Sequence, residues 1–398
     1  MKVALAGYGS RGDVEPLTAV GRELMRRGHD VCMAVAPNMV GFAESAGLAA
    51  VAYGPDSRAQ MDLAAGLVGN YAANIDDPVV ALNEVIQNVT QVKAAKTAAL
   101  TSLADGADLL VAGFNEQGLA VNVAEYHGIP LGALHFFPVR VWSSWEMYTQ
   151  LSRQTDNAQR PALHLPKTPP PSTHLEIQAY DALCLPGPAS EWVEPDDRHP
   201  LVGALTLELP GDADDEVLSW IAEGTPPIYF GFGSTPIASP AETVAVIGMA
   251  CARLGERALI CSGPNDFTDV PRFEHVKLAV QVSHSVVFPA CRAVAHHGGA
   301  GVTAAGLRAG LPTLILWFWL DQPMWADGVT RLEVGAGRAF LESTLDSLVA
   351  DLRAILTPEC AARAREVATA MTKSAESVAR AADLLEAAAR AGQGGDRS

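Results

Sequence analysis

Apolar residues come along this 398-residue chain in two alternating rhythms. Short continuous runs, such as Val3 to Ala6 and Val31 to Ala36, have the length of buried strands. Between them lie stretches with apolar residues three or four apart. Val14, Leu17, Val20 and Leu24 share one face of a helix predicted over Val14 to Arg27, and Gly28 closes it. The same reading predicts strands at Lys2 to Ala6, Asp30 to Ala36, Asp108 to Gly113 and Pro130 to Phe136. It places another within Ile177 to Trp192, then Pro200 to Leu205. Helices are predicted over Pro78 to Leu103 and Gln117 to His127. Asp56 to Asn74 reads as a loop with a helical piece.

After residue 207 the alternation starts again. Strands are predicted at Ile228 to Phe232, Ala258 to Ser262, Leu278 to Val282, Ala293 to His297, from Leu311 onward, and at Gly337 to Phe340. Helices are predicted over Asp215 to Ala222, from near Ala241, over Gly301 to Ala309, Met324 to Leu332, Thr344 to Leu356 and within Ala361 to Ala389. Glu208 to Asp215, acidic and holding Pro210 and Gly211, is the candidate linker. Gly128-Ile129-Pro130 and Gly310-Leu311-Pro312 each end a helix and start a strand late in their halves, an echo of duplicated topology. The expected fold is α/β, with two Rossmann-like doubly wound domains facing each other across a cleft. The expected division is 1–207, 208–380, and 381–398 as a helix end and tail, disordered from Gly392.

Composition narrows the function. Lys and Arg number 28 against 45 Asp and Glu, a formal charge of −17. That argues against nucleic acid or an anionic membrane as main partner. No run of about 18 residues is apolar and free of charge, so no membrane span is expected, while peripheral membrane contact is left open. Met1-Lys2 leads straight into a strand, so no signal peptide is expected ahead of it. Six scattered cysteines without a Cys-x-x-Cys read as reduced thiols, and the expected location is cytoplasmic.

The richest stretch is Arg292 to Gly306. A short strand runs into His297-Gly298-Gly299-Ala300-Gly301, and a helix follows. Helix-start N–H groups and the helix dipole bind anions, and glycines let a phosphate reach the backbone. His297 adds a hydrogen-bond donor. Downstream, Asp321 and Gln322 follow a strand directly, at the sheet edge where α/β ligands bind, with groups suited to sugar hydroxyls. Arg292 and Arg308 are the cations nearest in sequence for offsetting the repulsion between an acidic protein and an anionic donor. Gly7-Tyr8-Gly9-Ser10-Arg11-Gly12 fits G-x-G-x-x-G, which keeps an NAD(P)-dependent oxidoreductase as an alternative. The second strand ends in Val35-Ala36-Pro37-Asn38, without the acid that would hold a dinucleotide ribose. Asp13 sits where a helix N-cap belongs, and also where a general base would face an acceptor hydroxyl.

Together, His296-His297-Gly298-Gly299-Ala300-Gly301, Asp321-Gln322, Gly9 to Pro16 and Tyr229 to Ser234 resemble the signature of the inverting two-domain (GT-B) glycosyltransferases. The resemblance is strongest to the bacterial UDP-glycosyltransferase-like group that acts on glycopeptide antibiotics, glycopeptidolipids and sterols, and it covers nearly the whole chain. It implies an inverting transfer of a hexose or deoxyhexose from a UDP- or dTDP-sugar to the hydroxyl of an apolar natural product or lipid. Asp13 maps onto the base candidate, with Asp321 as runner-up. Ser10, Arg11, Gly12, Ser234, Val282, Ser283, His297, Gly298, Gly299, Ala300, Gly301, Thr303, Asp321 and Gln322 are expected on the donor. Asn115, Glu116, His135 and Trp142 are expected on the acceptor. The nucleotide sugar is a cosubstrate; no other cofactor and no metal is expected, because the helix start stabilises the leaving diphosphate. Two departures stand out: Val302 replaces a phosphate-binding hydroxyl, unless Thr303 takes over, and Trp317-Phe318-Trp319 is bulky. A nucleotide-sugar epimerase of the same fold and a non-catalytic binding module are further alternatives.

Overall fold

A computed structural model of the chain describes residues 1–60, 78–139, 152–170, 174–185 and 196–394. The expectations at Trp142, at residues 61–74 and for the tail beyond 394 lie outside the described residues. The chain packs as two units. One comprises Met1–Ala179, Glu194–Leu205 and Ala375–Ser398; the other comprises Tyr180–Val193 and Thr206–Ser374. The units are therefore interleaved in sequence rather than separated by one cut near residue 207.

The first unit is built on a parallel six-stranded sheet. Its strands are β1 (Lys2–Ala6), β2 (Asp30–Val35), β3 (Ala49–Ala52), β4 (Leu109–Gly113), β5 (Leu131–His135) and β6 (Leu175–Gln178). Their spatial order is β3-β2-β1-β4-β5-β6. Helices α1 (Arg11–Arg26), α2 (Val40–Ser45), α3 (Pro78–Leu103) and α4 (Gln117–His127) belong with it. β4 and β5 are buried at every position, as a sheet covered on both faces requires. β3 is a strand the hydrophobic pattern did not signal: none of its four residues is buried. The strand expected over Pro200 to Leu205 reduces to a single bridge between Gln178 and Leu201.

The second unit repeats the plan. β7 (Ile228–Gly231), β8 (Ala258–Cys261), β9 (Val276–Ala279), β10 (Ala293–His296), β11 (Thr313–Trp317) and β12 (Gly335–Ala339) form a parallel sheet in the order β12-β11-β10-β7-β8-β9. Its helices are α5 (Asp214–Ala222), α6 (Pro240–Leu254), α7 (His284–Val287), α8 (Ala300–Arg308), α9 (Gln322–Arg331), α10 (Leu345–Ile355) and α11 (Pro358–Ala370). Numbered within each unit, both sheets run 3-2-1-4-5-6, the doubly wound order. In each, the winding reverses between its first and fourth strands: β1 and β4, then β7 and β10. The segment after Tyr180 joins this unit through specific bonds. Asp181 accepts from the Thr372 N–H at 3.0 Å, and Arg331 donates to the Leu183 carbonyl at 2.9 Å.

Residues 361–389 are not one helix. A break after Ala370 separates α11 from α12 (Ser374–Gly394), and α12 packs in the first unit. The disorder expected from Gly392 gives way to helix through Gly394. Ala381, Ala382, Leu385 and Ala389 are fully buried in the core around β1 and α1. Gly132 in β5 makes room for them: a Cβ there would stand 2.4 Å from Leu385 Cδ2. Arg27 bonds Asp383 at 2.6 Å, and His29 bonds Glu386 at 2.8 Å. Leu385→Ala is expected to lower the unfolding free energy of the first unit by about 3 kcal/mol, measured by urea denaturation. A change within error would mean that α12 is a surface addition.

Candidate functional site

Each switch point brings two loops together, and the two loop pairs carry opposite chemistry. In the first unit the turn after β1 meets the turn after β4. Ser10 is the N-cap of α1 and Asp13 is its third residue, so the expected N-cap role of Asp13 passes to Ser10. The Asp13 carboxylate reaches back and accepts from the Ser10 N–H at 2.6 Å and from the Ser10 hydroxyl at 2.9 Å, both on Oδ2. Asn115, from the turn after β4, donates to Asp13 Oδ1 at 3.3 Å and to the Tyr8 carbonyl at 3.0 Å. Burial pushes Asp13 up to about 6, against the opposing pull of the Ser10 bonds and with a smaller push from Glu116. That places it in the range where a carboxylate works as a general base near neutrality.

Gly9 makes this arrangement possible. Its φ is +136°, and a Cβ on it would lie 2.3 Å from Asp13 Oδ2. The second glycine of the fingerprint thus gives way to a carboxylate of the chain itself. A dinucleotide pyrophosphate at α1 would meet that negative group at the helix start, which counts against the oxidoreductase alternative. Of the other residues here, Arg11 pairs with Glu15 at 2.8 Å and lies over the Phe42 ring, while Gly12 is exposed in the first turn.

Two of the residues expected to meet the acceptor do something else. Glu116 is 1% exposed, with its oxygens held by Lys96 and the Tyr53 hydroxyl. His135 is also buried, 3.4 Å from Glu176, and its Nδ1 has no hydrogen-bond partner among the described residues. Both face inward from the sheet edge. Lys96 and Tyr53 were missed by sequence reasoning, though one signal existed: Lys96 falls on the helix face of Leu100 and Leu103.

In the second unit the turn after β7 meets the turn after β10. The His297 ring lies between two glycines: a Cβ on Gly233 would stand 2.6 Å from its Cε1, and one on Gly299 would stand 2.8 Å from its Nε2. Gly298 has φ +91°, and its missing side chain leaves room for Ile315 and Gln322. Gly299 caps α8, whose first turn has no acidic residue. Gly301 is exposed, and no atom lies within 4 Å of where its Cβ would be. Ala300 and Gly301 therefore present bare backbone at a helix start. Burial lowers His297 to about 4, so the ring is neutral at physiological pH.

Several expected contacts are redirected. Thr303 is buried and donates its hydroxyl to the Gly299 carbonyl at 2.8 Å, so it does not replace the hydroxyl absent at Val302. The Ser283 N–H donates to buried Asp214 at 2.8 Å, so that donor is engaged within the chain; neighbouring Val282 is buried. Arg292 pairs with Glu256 at 2.9 Å, ahead of β10 and away from its glycine end. Arg308 sits at the far end of α8, bonded to Thr372 and Thr206. Neither arginine offsets charge at the glycine turn. Ser234 is half-buried beside Gly233, and Ser239 occupies the N-cap position of α6. Asp321 Oδ2 accepts from the Trp325 indole at 2.6 Å, and Gln322 Oε1 accepts from the N–H groups of Phe318 and Trp319. These bonds fix the loop after β11 and leave the Gln322 amide as a donor.

Gly9→Ala is expected to cost about 1–3 kcal/mol through its positive φ, with a further loss from the carboxylate collision. In Gly9→Ala/Asp13→Ala the collision part returns; strictly additive losses in urea denaturation would contradict the contact. His297 titrates below its ordinary value, so its contribution to stability is present above about pH 6.5 and is lost as pH falls toward 4. Unfolding free energy between pH 7 and 4.5 should therefore fall more steeply for the parent than for His297→Gln. Parallel slopes would rule that out.

Comparison with known proteins places these features in context. Residues 3–143 match the glycosyltransferase family 28 N-terminal domain. Residues 261–385 match the erythromycin biosynthesis protein CIII-like C-terminal domain. An uncharacterized glycosyltransferase of Mycobacterium tuberculosis is 54% identical over 98% of this chain and 99% of its own length. The vancomycin aglycone glucosyltransferase of Amycolatopsis orientalis is 30% identical over 98% of each. Among solved structures, a Streptomyces sp. SF2575 glycosyltransferase complexed with thymidine diphosphate has the same fold, with a TM-score of 0.66 at 20% identity over 97% of this chain and 99% of that one.

Proposed function

The chain belongs to the glycosyltransferases, and on that premise we propose an inverting transfer from a UDP- or dTDP-sugar to a hydroxyl of an apolar small molecule or lipid. The observation that carries the reading is the contrast between the two switch points: a carboxylate raised to about 6 in one unit, and a bare helix start beside a neutral histidine in the other. The donor diphosphate rests on Gly298, Gly299, Ala300 and Gly301. His297 and Ser234 add hydrogen bonds, and Asp321 and the Gln322 amide orient the sugar. Asp13 takes the proton from the acceptor hydroxyl as that oxygen bonds to the anomeric carbon. The bond from that carbon to the diphosphate breaks, and its electron pair leaves on the phosphate oxygen. Attack opposite the leaving group inverts the centre.

The growing charge on the diphosphate meets N–H dipoles already in place. Each such donor is worth about 3 kcal/mol of transition-state stabilisation, and the arrangement calls for no metal. Asp321 is the weaker base candidate, because its Oδ2 is held by the Trp325 indole. A thymidine diphosphate in the solved structure and an aglycone in the name of the vancomycin enzyme support a nucleoside diphosphate donor and a small-molecule acceptor.

The test is release of nucleoside diphosphate from UDP- and dTDP-sugars with apolar hydroxylated acceptors. Asp13→Asn is expected to lower kcat by about 100-fold or more while donor affinity holds. Failure of every donor to bind, or full activity in Asp13→Asn, would overturn the reading.

A further inference from the structure

The first unit holds a buried ionic cluster that the transfer chemistry leaves unused. Lys96, on α3, and Glu116, in the turn after β4, are 5% and 1% exposed. The Lys96 ammonium donates to Glu116 Oε1 at 2.5 Å, and the Tyr53 hydroxyl donates to Oε2. The same ammonium stands 3.6 Å from the centre of the Tyr8 ring and 4.8 Å from that of Tyr53. A buried ion pair is a weak source of stability, since desolvation offsets most of the attraction. What distinguishes this pair is where its contacts lead.

Glu116 and Tyr8 each adjoin a group that holds Asp13. Glu116 follows Asn115, whose amide reaches both Asp13 Oδ1 and the Tyr8 carbonyl. Tyr8, capped by the ammonium, opens the turn that delivers Ser10 to Asp13 Oδ2. The Tyr8 hydroxyl is tied to the Pro55 carbonyl at 3.0 Å, so the ring has little freedom to turn. Gly54 leaves the room: a Cβ there would stand 3.1 Å from Lys96 Cδ and 3.3 Å from Tyr8 Cε2. The other charges near the cluster are already engaged. Lys93 pairs with Asp156 at 2.6 Å, and Asp56 accepts from the N–H groups of residues 58 and 59.

We propose that Lys96 and Glu116 are positioning residues for Asp13: the pair fixes both turns that grip its carboxylate, and its two charges act on that carboxylate in opposite senses. The proposal rests on Asp13 acting as the base. Glu116 alone favours the protonated form of Asp13, and Lys96 favours the ionised form. Removing one of the two charges therefore shifts the base in a direction set by which charge is left.

The test is the pH dependence of kcat/KM for nucleoside diphosphate release in Glu116→Gln, Lys96→Met and the double variant, each checked for folding by thermal unfolding. Glu116→Gln should move the acid limb down by roughly 0.5–1 pH unit and Lys96→Met should move it up, with the double variant returning close to the parent. A purely structural cluster would lower stability in both single variants and leave the limb in place. An unmoved limb, or shifts of the same sign, overturns the proposal. If Lys96→Met does not fold, Glu116→Gln decides alone. Asp13→Asn separates the two readings. Retained activity there removes Asp13 as base, whereas lost activity with an unmoved limb in Glu116→Gln removes only the positioning role. Carboxyl 13C titration of Asp13 in Glu116→Gln reads the same field without reference to turnover.

Discussion

A parallel sheet wound outward in both directions from its middle leaves one gap that no crossover can cover. At that gap the connections from two adjacent strands leave for opposite faces of the sheet, and the strand-end turns beside it are free to meet a ligand. In this protein that constraint operates twice, with the same strand order in each unit. Asp13 and the glycine turn are attached to those two reversals, whereas Asp321 and Gln322 follow β11. Asp13 and Asn115 come from the ends of β1 and β4; Gly233 and the His297 turn come from the ends of β7 and β10.

The two gaps are filled in opposite ways. At α1 the chain places its own carboxylate against the helix start and satisfies it with Ser10. At α8 it places no acid and keeps only glycine, alanine and an uncharged ring. A helix start without an acid is an acceptor for someone else's negative charge. This arrangement also bears on the −17 net charge of the chain. The arginines nearest the glycine turn in sequence are paired elsewhere, so attraction for an anion comes from fixed dipoles at short range. Dipoles of that kind are little affected by salt, whereas a surface arginine would be screened within about 8–10 Å.

The sheets were legible because a strand buried on both faces is a continuous apolar run, as in Val3 to Ala6 and Leu109 to Gly113. β3 was not: its run of three alanines and a valine is small, and none of its four residues is buried. The glycine turn and Asp13 were found from residue type and order. What order could not give was direction. Glu116 and His135 follow strands as ligand contacts do, yet turn inward to Lys96 and Glu176. Thr303 and Ser283 sit at helix starts, yet bond to Gly299 and Asp214. Those outcomes depend on partners distant along the chain, and a linear pattern carries no record of them.

The packing of α12 has a consequence for how the molecule comes into being. Leu385 and Ala389 fill the core beneath β1 and α1, and Arg27 and His29 are tied to Asp383 and Glu386. Ribosomal synthesis delivers β1 early and Leu385 only after the whole second unit has emerged. The lobe begun first is thus completed last. Its nascent sheet waits with an open apolar trough while its neighbour folds, a window in which a chaperone has something to hold.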